Sequence, residues 1–254
     1  MSDALVQTLI DVREHPRAIA PPSETKALSL EEAYAVQDRV REAMIARGGR
    51  VAGWKAAFTN AGLQKTYGTT EPVCGFLLAA GVLGNGVAVP MSRFVTPIVE
   101  AEIAFVMRTD LAGPGVTPPR ALQAIEGALP ALELPDFRMS GKPIGSDLVA
   151  DGIFANAIVL GSGITSVTNI DLALEGLVYE MNGAIVATNT AAEVLGNPLT
   201  SLVWVANHLG ARGLGLRAGD VVMTGSVSLL LRPKAGDTVR ATYTRLGSVS
   251  VRFF

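Results

Sequence analysis

The chain has 254 residues, of which 49% are apolar and 17% charged, with 27 glycines, 14 prolines and a formal net charge of −2. That length buries a full core, as one large domain or a main domain with a small appendage. The glycine, proline and low charge content points to many short strands and turns, with surface buried between copies in a homo-oligomer. Scattered basic residues exclude a nucleic-acid footprint, no apolar run reaches the roughly 18 residues of a membrane span, and one cysteine with two histidines excludes an internal disulfide and disfavours a zinc cluster.

The N-terminal "MSDALVQTLIDVREHP" lacks the basic start and apolar stretch of a signal peptide, so a cytoplasmic protein is expected. "DALVQTLIDVREH" reads as a helix and "APPSETKA" as a linker. In "SLEEAYAVQDRVREAMIARGG", Ser29 and Glu32 have capping-box spacing, Leu30, Ala33, Val36, Val40 and Ala43 recur at helical spacing, and Gly48 and Gly49 supply the stop. Residues 1–50 are therefore expected to form an N-terminal helical segment ahead of a main domain over 51–254. From Val51 the pattern shifts to strands and turns: "GVLGNGVAV", "VEAEIAFVM", "NAIVLGSG", "GLVYEMNGAIVATNT" and "DTVRATYTRLGSVSVRFF". "EMNGAIV" is a hairpin with an Asn-Gly turn, and two helices are expected near "PPRALQAIEGALPALEL" and "PLTSLVWVANHLGARG".

Three stretches carry chemistry. In "TPIVEAEIAFVMRTD", Glu100 and Glu102 lie on one face of a strand with Cβ atoms ~7 Å apart. The bland alternative is a solvated edge strand with Arg93 or Arg108 as partners. Against it stands Glu133 in "LPALELPDF", flanked by Leu132, Leu134 and Pro135, a poor setting for a surface glutamate. Three carboxylates without adequate histidine or thiolate describe a site for a hard divalent ion, Mg²⁺ or Mn²⁺. In "GWKAAFTN", Lys55 among apolar neighbours is expected to be desolvated, with a lowered pKa; the alternative is a lysine snorkelling from a strand end. "GDVVMTGS" ends a strand in Thr224, Gly225 and Ser226, whose hydroxyl and free backbone N–H groups form a seat for a carboxylate.

In the order "GWKAAFT", "TEPVCGFLL", "IVEAEIAFVM", "LPALEL", "VADGIFANAIVLG", "VLGNPLTSLVWVANHLGARG" and "LRAGDVVMTGS", the chain resembles the 2-keto-4-pentenoate hydratase and 4-oxalocrotonate decarboxylase branch of the fumarylacetoacetate hydrolase superfamily. The resemblance implies an α+β architecture: a β-rich fumarylacetoacetase-type catalytic fold behind a small N-terminal helical segment. It implies Mg²⁺ or Mn²⁺ on Glu100, Glu102 and Glu133, Lys55 and Asp151 as catalytic residues, and Thr224 facing the substrate carboxylate. Two departures stand out: Pro72-Val73-Cys74-Gly75 lacks the acid of the family's Pro-Asp-Tyr-Gly or Pro-Asp-Phe-Gly, and Asn197 replaces the histidine of its "LGHP" turn.

The implied activity is water addition to a 2-hydroxy-2,4-dienoate in aromatic-compound catabolism, with the metal stabilising enolate character at C2. The alternative is decarboxylation of a 2-oxo-3-enedioate, and the distal pocket separates the two. Hydrolysis of an acylpyruvate is disfavoured because neither His15 nor His208 suits a water-activating dyad. A catalytically silent subunit, or one working in complex with a pathway neighbour, is the remaining alternative.

Overall fold

The computed structural model describes residues 3–254. Helix α1 (Asp3–Glu14) and helix α2 (Leu30–Ala46) open the chain. The capping box forms as its spacing predicts: Glu32 N donates to Ser29 Oγ at 3.1 Å and Ser29 N to the Glu32 carboxylate at 2.9 Å. Val6, Leu9 and Ile10 of α1 and Ala33, Val36 and Val40 of α2 join the same buried cluster as the sheet residues that follow. Gln37, 2% exposed, donates to the carbonyls of Cys74 and Val149 and so ties α2 into the body of the molecule.

The strands are β1 (Val51–Ala57), β2 (Val73–Leu78), β3 (Val82–Gly84), β4 (Val87–Val89), β5 (Glu100–Met107), β6 (Ile125–Leu134), β7 (Ala157–Leu160), β8 (Gly176–Met181), β9 (Ala184–Thr190), β10 (Val221–Ser226), β11 (Thr238–Tyr243) and β12 (Gly247–Phe253). Between them lie α3 (Ala61–Tyr67), α4 (Pro118–Ala124), α5 (Gly145–Ala150) and α6 (Pro198–Ala211). One sheet has seven strands in the order β2-β1-β10-β5-β6-β7-β3, and the other has five in the order β4-β12-β11-β8-β9. This is the α+β, β-rich architecture expected. The β8–β9 hairpin turns at Asn182 and Gly183, with φ of 54° and 79°, the left-handed pair that an Asn-Gly turn supplies.

The helix expected over "PPRALQAIEGALPALEL" is realised only in its first seven residues, α4. From Ile125 the chain is the ten-residue strand β6, covered on both sides, so its near-continuous apolar composition reports burial rather than a helical face. α3 and α5 are additional short helices, and Asn60 caps the first through Leu63 N.

The seven-stranded sheet sorts its side chains by parity. Ala101, Ile103 and Phe105 of β5, Trp54 and Ala56 of β1 and Val222 of β10 face the main core. Ala104 of β5, Leu129 and Ala131 of β6, and Val221 and Met223 of β10 form a smaller cluster on the opposite face. Glu100, Glu102, Glu133 and Lys55 share the parity of that second face.

Candidate active site

Antiparallel pairing of β5 with β6 sets Glu100 directly opposite Glu133 and Glu102 opposite Ala131. Like charges at a directly opposed pair destabilise a sheet. Nevertheless the three carboxylates converge, with one oxygen from each within 4.8 Å of the others. Glu102 and Glu133 are each 1% exposed, and Glu100 is partly exposed. Neither Arg93 nor Arg108 answers them: Arg93 is bonded to Asn156 and Arg108 to the Gln123 carbonyl.

The positive partner is Lys55. Its Nζ lies 2.5 Å from Glu133 Oε1 and donates to the Ile153 carbonyl at 3.0 Å, with the side chain 2% exposed. Glu102 accepts from Gly225 N at 2.8 Å, whereas among the described residues the Glu133 oxygens accept no hydrogen bond beyond the lysine contact. One ammonium thus faces three carboxylates. Burial, and then the Glu133 charge, push Glu100 up to about 7, with Lys55 opposing. Burial, Glu133 and Glu100 push Glu102 well above the usual carboxylate range against Lys55 and the Gly225 N–H.

For Lys55 itself the sequence-based sign is corrected. Burial alone lowers its pKa, but Glu133, Glu100 and Glu102 together outweigh burial, and the net direction is upward.

These charged groups share a cavity of about 320 Å³ with apolar walls that include Phe58, Leu63, Tyr67, Phe137, Leu229 and Leu230. Among the described residues lining it, Lys55 is the one Lys or Arg. Gly225 and Ser226 line the cavity as well, but Thr224 and Asp151 do not. Thr224 donates its hydroxyl to the Ile103 carbonyl at 2.8 Å, next to the bulge in β10 between Met223 and Ser226. Asp151, fully buried, is paired with Arg13 at 2.9 Å and Arg138 at 3.1 Å.

Val73, where the family's acid would stand, is 1% exposed and also outside the lining. Asn197 caps α6 through Leu199 N, a turn role. His15 is exposed, and His208 stacks on Trp204 with its pKa pushed down to about 4 by burial and by Arg212, so neither histidine reaches the cavity.

Two features of the lining carry little or no signal of their own in the sequence. Thr59 packs against Gly225 so closely that a Cβ there would sit 2.3 Å from its Oγ1; it is the threonine that closes "GWKAAFT". The Ile153 carbonyl that fixes Lys55 is a backbone group and leaves no signal.

The donor set fits a hard divalent cation. It is all carboxylate, it brings more negative charge together than one lysine neutralises, and it leaves the buried Glu133 oxygens short of partners. Cys74, the one thiol, is buried outside the lining. Fold and site together define an enzyme-like pocket in which a carboxylate set suited to a cation and a lysine sit beside an apolar cavity.

The chain belongs to the fumarylacetoacetate (FAA) hydrolase family, whose C-terminal domain model matches residues 52–253. It is 33% identical over 249 residues to a 2-keto-4-pentenoate hydratase of Paraburkholderia xenovorans (strain LB400), covering 97% of this chain and 93% of that one. A 4-oxalocrotonate decarboxylase of Pseudomonas sp. (strain CF600) is 32% identical over 245 residues, at 96% and 92% coverage. The solved 4-oxalocrotonate decarboxylase from Pseudomonas putida G7, complexed with magnesium and adipate, superposes with a TM-score of 0.95 at 31% identity, over 99% of this chain and 96% of that chain.

Proposed function

We propose that this protein is a divalent-metal-dependent hydratase, a lyase adding water to a 2-hydroxy-2,4-dienoate in aromatic-compound catabolism. One observation carries the choice: the cavity has its charged groups in the carboxylate–lysine cluster, and its remaining walls offer no second Lys or Arg among the described lining residues to neutralise a distal carboxylate. Burying an unpaired carboxylate there costs several kcal/mol, on the order of the penalty for any uncompensated buried charge. An uncharged terminus enters without that cost.

Glu100, Glu102 and Glu133 hold Mg²⁺ or Mn²⁺ in this reading. The bound ion supplies a Lewis acid that favours enolate character in a chelated 2-oxo acid. Lys55, held between Glu133 and the Ile153 carbonyl, would carry a proton to or from the substrate's enolate oxygen. Gly225 N, by donating to Glu102, fixes that carboxylate's orientation, while Ser226 offers a polar contact at the cavity edge. The apolar walls exclude bulk water from the conjugated part of the substrate.

The 4-oxalocrotonate-type decarboxylase remains the second reading because Arg232, exposed, lies over the Phe137 ring at 6.0 Å from its centroid. Incubation with Mg²⁺ and 2-hydroxypenta-2,4-dienoate is expected to consume the conjugated absorbance without releasing CO₂. Release of CO₂ from 2-oxohex-3-enedioate, without hydration of the dienoate and lost in Arg232→Met, would replace this reading with the second.

We also propose a homo-oligomer and a two-part chain, with a helical segment over 1–50 serving the catalytic domain over 51–254; the family match beginning at residue 52 supports the division. Strand β9 ends the five-stranded sheet with Ile185 64% and Val186 38% exposed, an apolar edge suited to a second copy. Light scattering is expected to give a multiple of 26.5 kDa, and a monomer mass at micromolar concentration would overturn the oligomer. No helix of the described residues is long and apolar enough to cross a membrane.

A further inference from the structure

We propose that Arg13, on the N-terminal helix, is a positioning residue for Lys55, acting through Asp151 and the loop that follows it. The inference rests on the reading of Lys55 as a group that acts on substrate.

Gly152, Ile153 and Phe154 are consecutive residues with φ of 67°, 56° and 57°. Left-handed backbone is unfavourable for Ile and Phe, above all for a β-branched residue, and persists only where its surroundings over-determine it. Lys55 is anchored here, since its Nζ donates to the Ile153 carbonyl at 3.0 Å.

Backbone bonds from Ile153 N to the Leu148 carbonyl at 2.7 Å and from Asp136 N to the Phe154 carbonyl at 3.0 Å hold the loop, and a charge clamp on its far side adds to them. Arg13 Nη1 donates to Asp151 Oδ1 at 2.9 Å and Nη2 donates to the Asp151 carbonyl, so one guanidinium holds both the side chain and the backbone of the residue that starts the turn. Arg138 Nε forms an ion pair with Asp151 Oδ2 at 3.1 Å without a hydrogen bond, and its Nη2 donates to the Ala155 carbonyl at 3.0 Å, holding the other end. Arg138 is 1% exposed and Asp151 fully buried. The loop therefore has arginines at its two ends and the lysine on its middle carbonyl. If the clamp slackens, the strained residues can relax, and the Ile153 carbonyl moves with them. Displacing a catalytic group by about 1 Å can cost as much as 10²-fold in rate.

Arg13 and Arg138 also line a second cavity, of about 200 Å³ and separate from the carboxylate site, so truncating Arg13 leaves space joined to that cavity. That geometry provides a test independent of stability. In Arg13→Ala, kcat is expected to fall at least about tenfold, with KM and calorimetric Mg²⁺ affinity within twofold of wild type. Millimolar guanidinium should restore part of that kcat by entering the vacated space, whereas a merely destabilised variant would gain nothing, since such a concentration barely changes stability. Should Arg13→Ala not fold, Arg13→Lys serves. It keeps a charge near Asp151 but lacks the planar fork that spans carboxylate and carbonyl, and a kcat loss of at least about fivefold is expected.

The decisive measurement is the double substitution. In a Lys55→Met background the Arg13 change should cost less than twofold, because the group it positions is gone. Equal losses in both backgrounds, or wild-type kcat in the Arg13 variants, overturn the positioning role while leaving the site reading intact. If Lys55→Met alone remains near wild-type activity, it is the site reading that fails.

Discussion

Replacing Glu102 with glutamine is expected to abolish measurable turnover and to weaken Mg²⁺ binding at least about tenfold, because losing a ligand should cost no less than the 10- to 100-fold seen for groups that merely support one. The fold should survive: the amide oxygen can still accept from Gly225 N, and the volume is unchanged. Calorimetry with unchanged Mg²⁺ affinity would remove Glu102 from the metal set. Without metal the same substitution should stabilise the protein, and the effect should depend on pH. Glu100 is raised to about 7 and Glu102 well above its usual value, so the folded, metal-free state binds protons more tightly than the unfolded chain. Stability from such groups is fully present below about pH 4.5 and is lost as pH rises through the folded values. Removing one charge relieves that loss. The melting temperature of metal-free Glu102→Gln should therefore match wild type near pH 5 and exceed it at pH 8. A surface glutamate paired with an arginine would instead lose a few tenths of a kcal/mol or nothing, at either pH.

Features governed by local pattern were legible before the fold was seen. The period of two along "VEAEIAFVM" places Glu100 and Glu102 on one face, the side on which β10 and β6 bring Gly225 and Glu133 to them. The capping box of α2 and the Asn-Gly turn were equally local. Tertiary context decided the rest. Two prolines and a run of alanine and leucine after Thr117 satisfy helix-start and helix-propensity rules, yet burial between neighbours on both sides makes most of that run the strand β6. Thr224 and Gly225 are adjacent in sequence, yet Gly225 lines the cavity while the Thr224 hydroxyl is bonded to the Ile103 carbonyl, a difference that depends on the irregular pairing of β10 with β5. Asp151 carries a family motif, but its partner Arg13 lies 138 residues away on a helix that precedes the matched domain, and no spacing rule connects them. The sign of the Lys55 shift was hidden for a related reason: apolar neighbours in "GWKAAFTN" announce desolvation, whereas the three carboxylates that outweigh it come from strands β5 and β6.

Lys55→Met is expected to lower turnover by at least about 10²-fold, the scale of removing a positioned acid–base group, while Mg²⁺, the oligomer and the binding of a simple 2-oxo acid are retained. The metal-free variant should be less stable than wild type, opposite in sign to Glu102→Gln. Methionine leaves Glu133, 1% exposed, without its one cationic contact and still opposite Glu100 in the sheet. Mg²⁺ should then raise the melting temperature more in the variant than in wild type, since the added cation replaces the missing one. Lys55→Arg separates charge from proton transfer. A guanidinium keeps a positive group near Glu133 but does not give up its proton near neutral pH, so stability should largely return and turnover should not. Recovery of most activity by arginine would make Lys55 an electrostatic anchor and leave the proton to another group in the cavity. A methionine variant nearly as active as wild type would reduce Lys55 to a structural counter-ion whose purpose is to let three carboxylates share one face of a sheet.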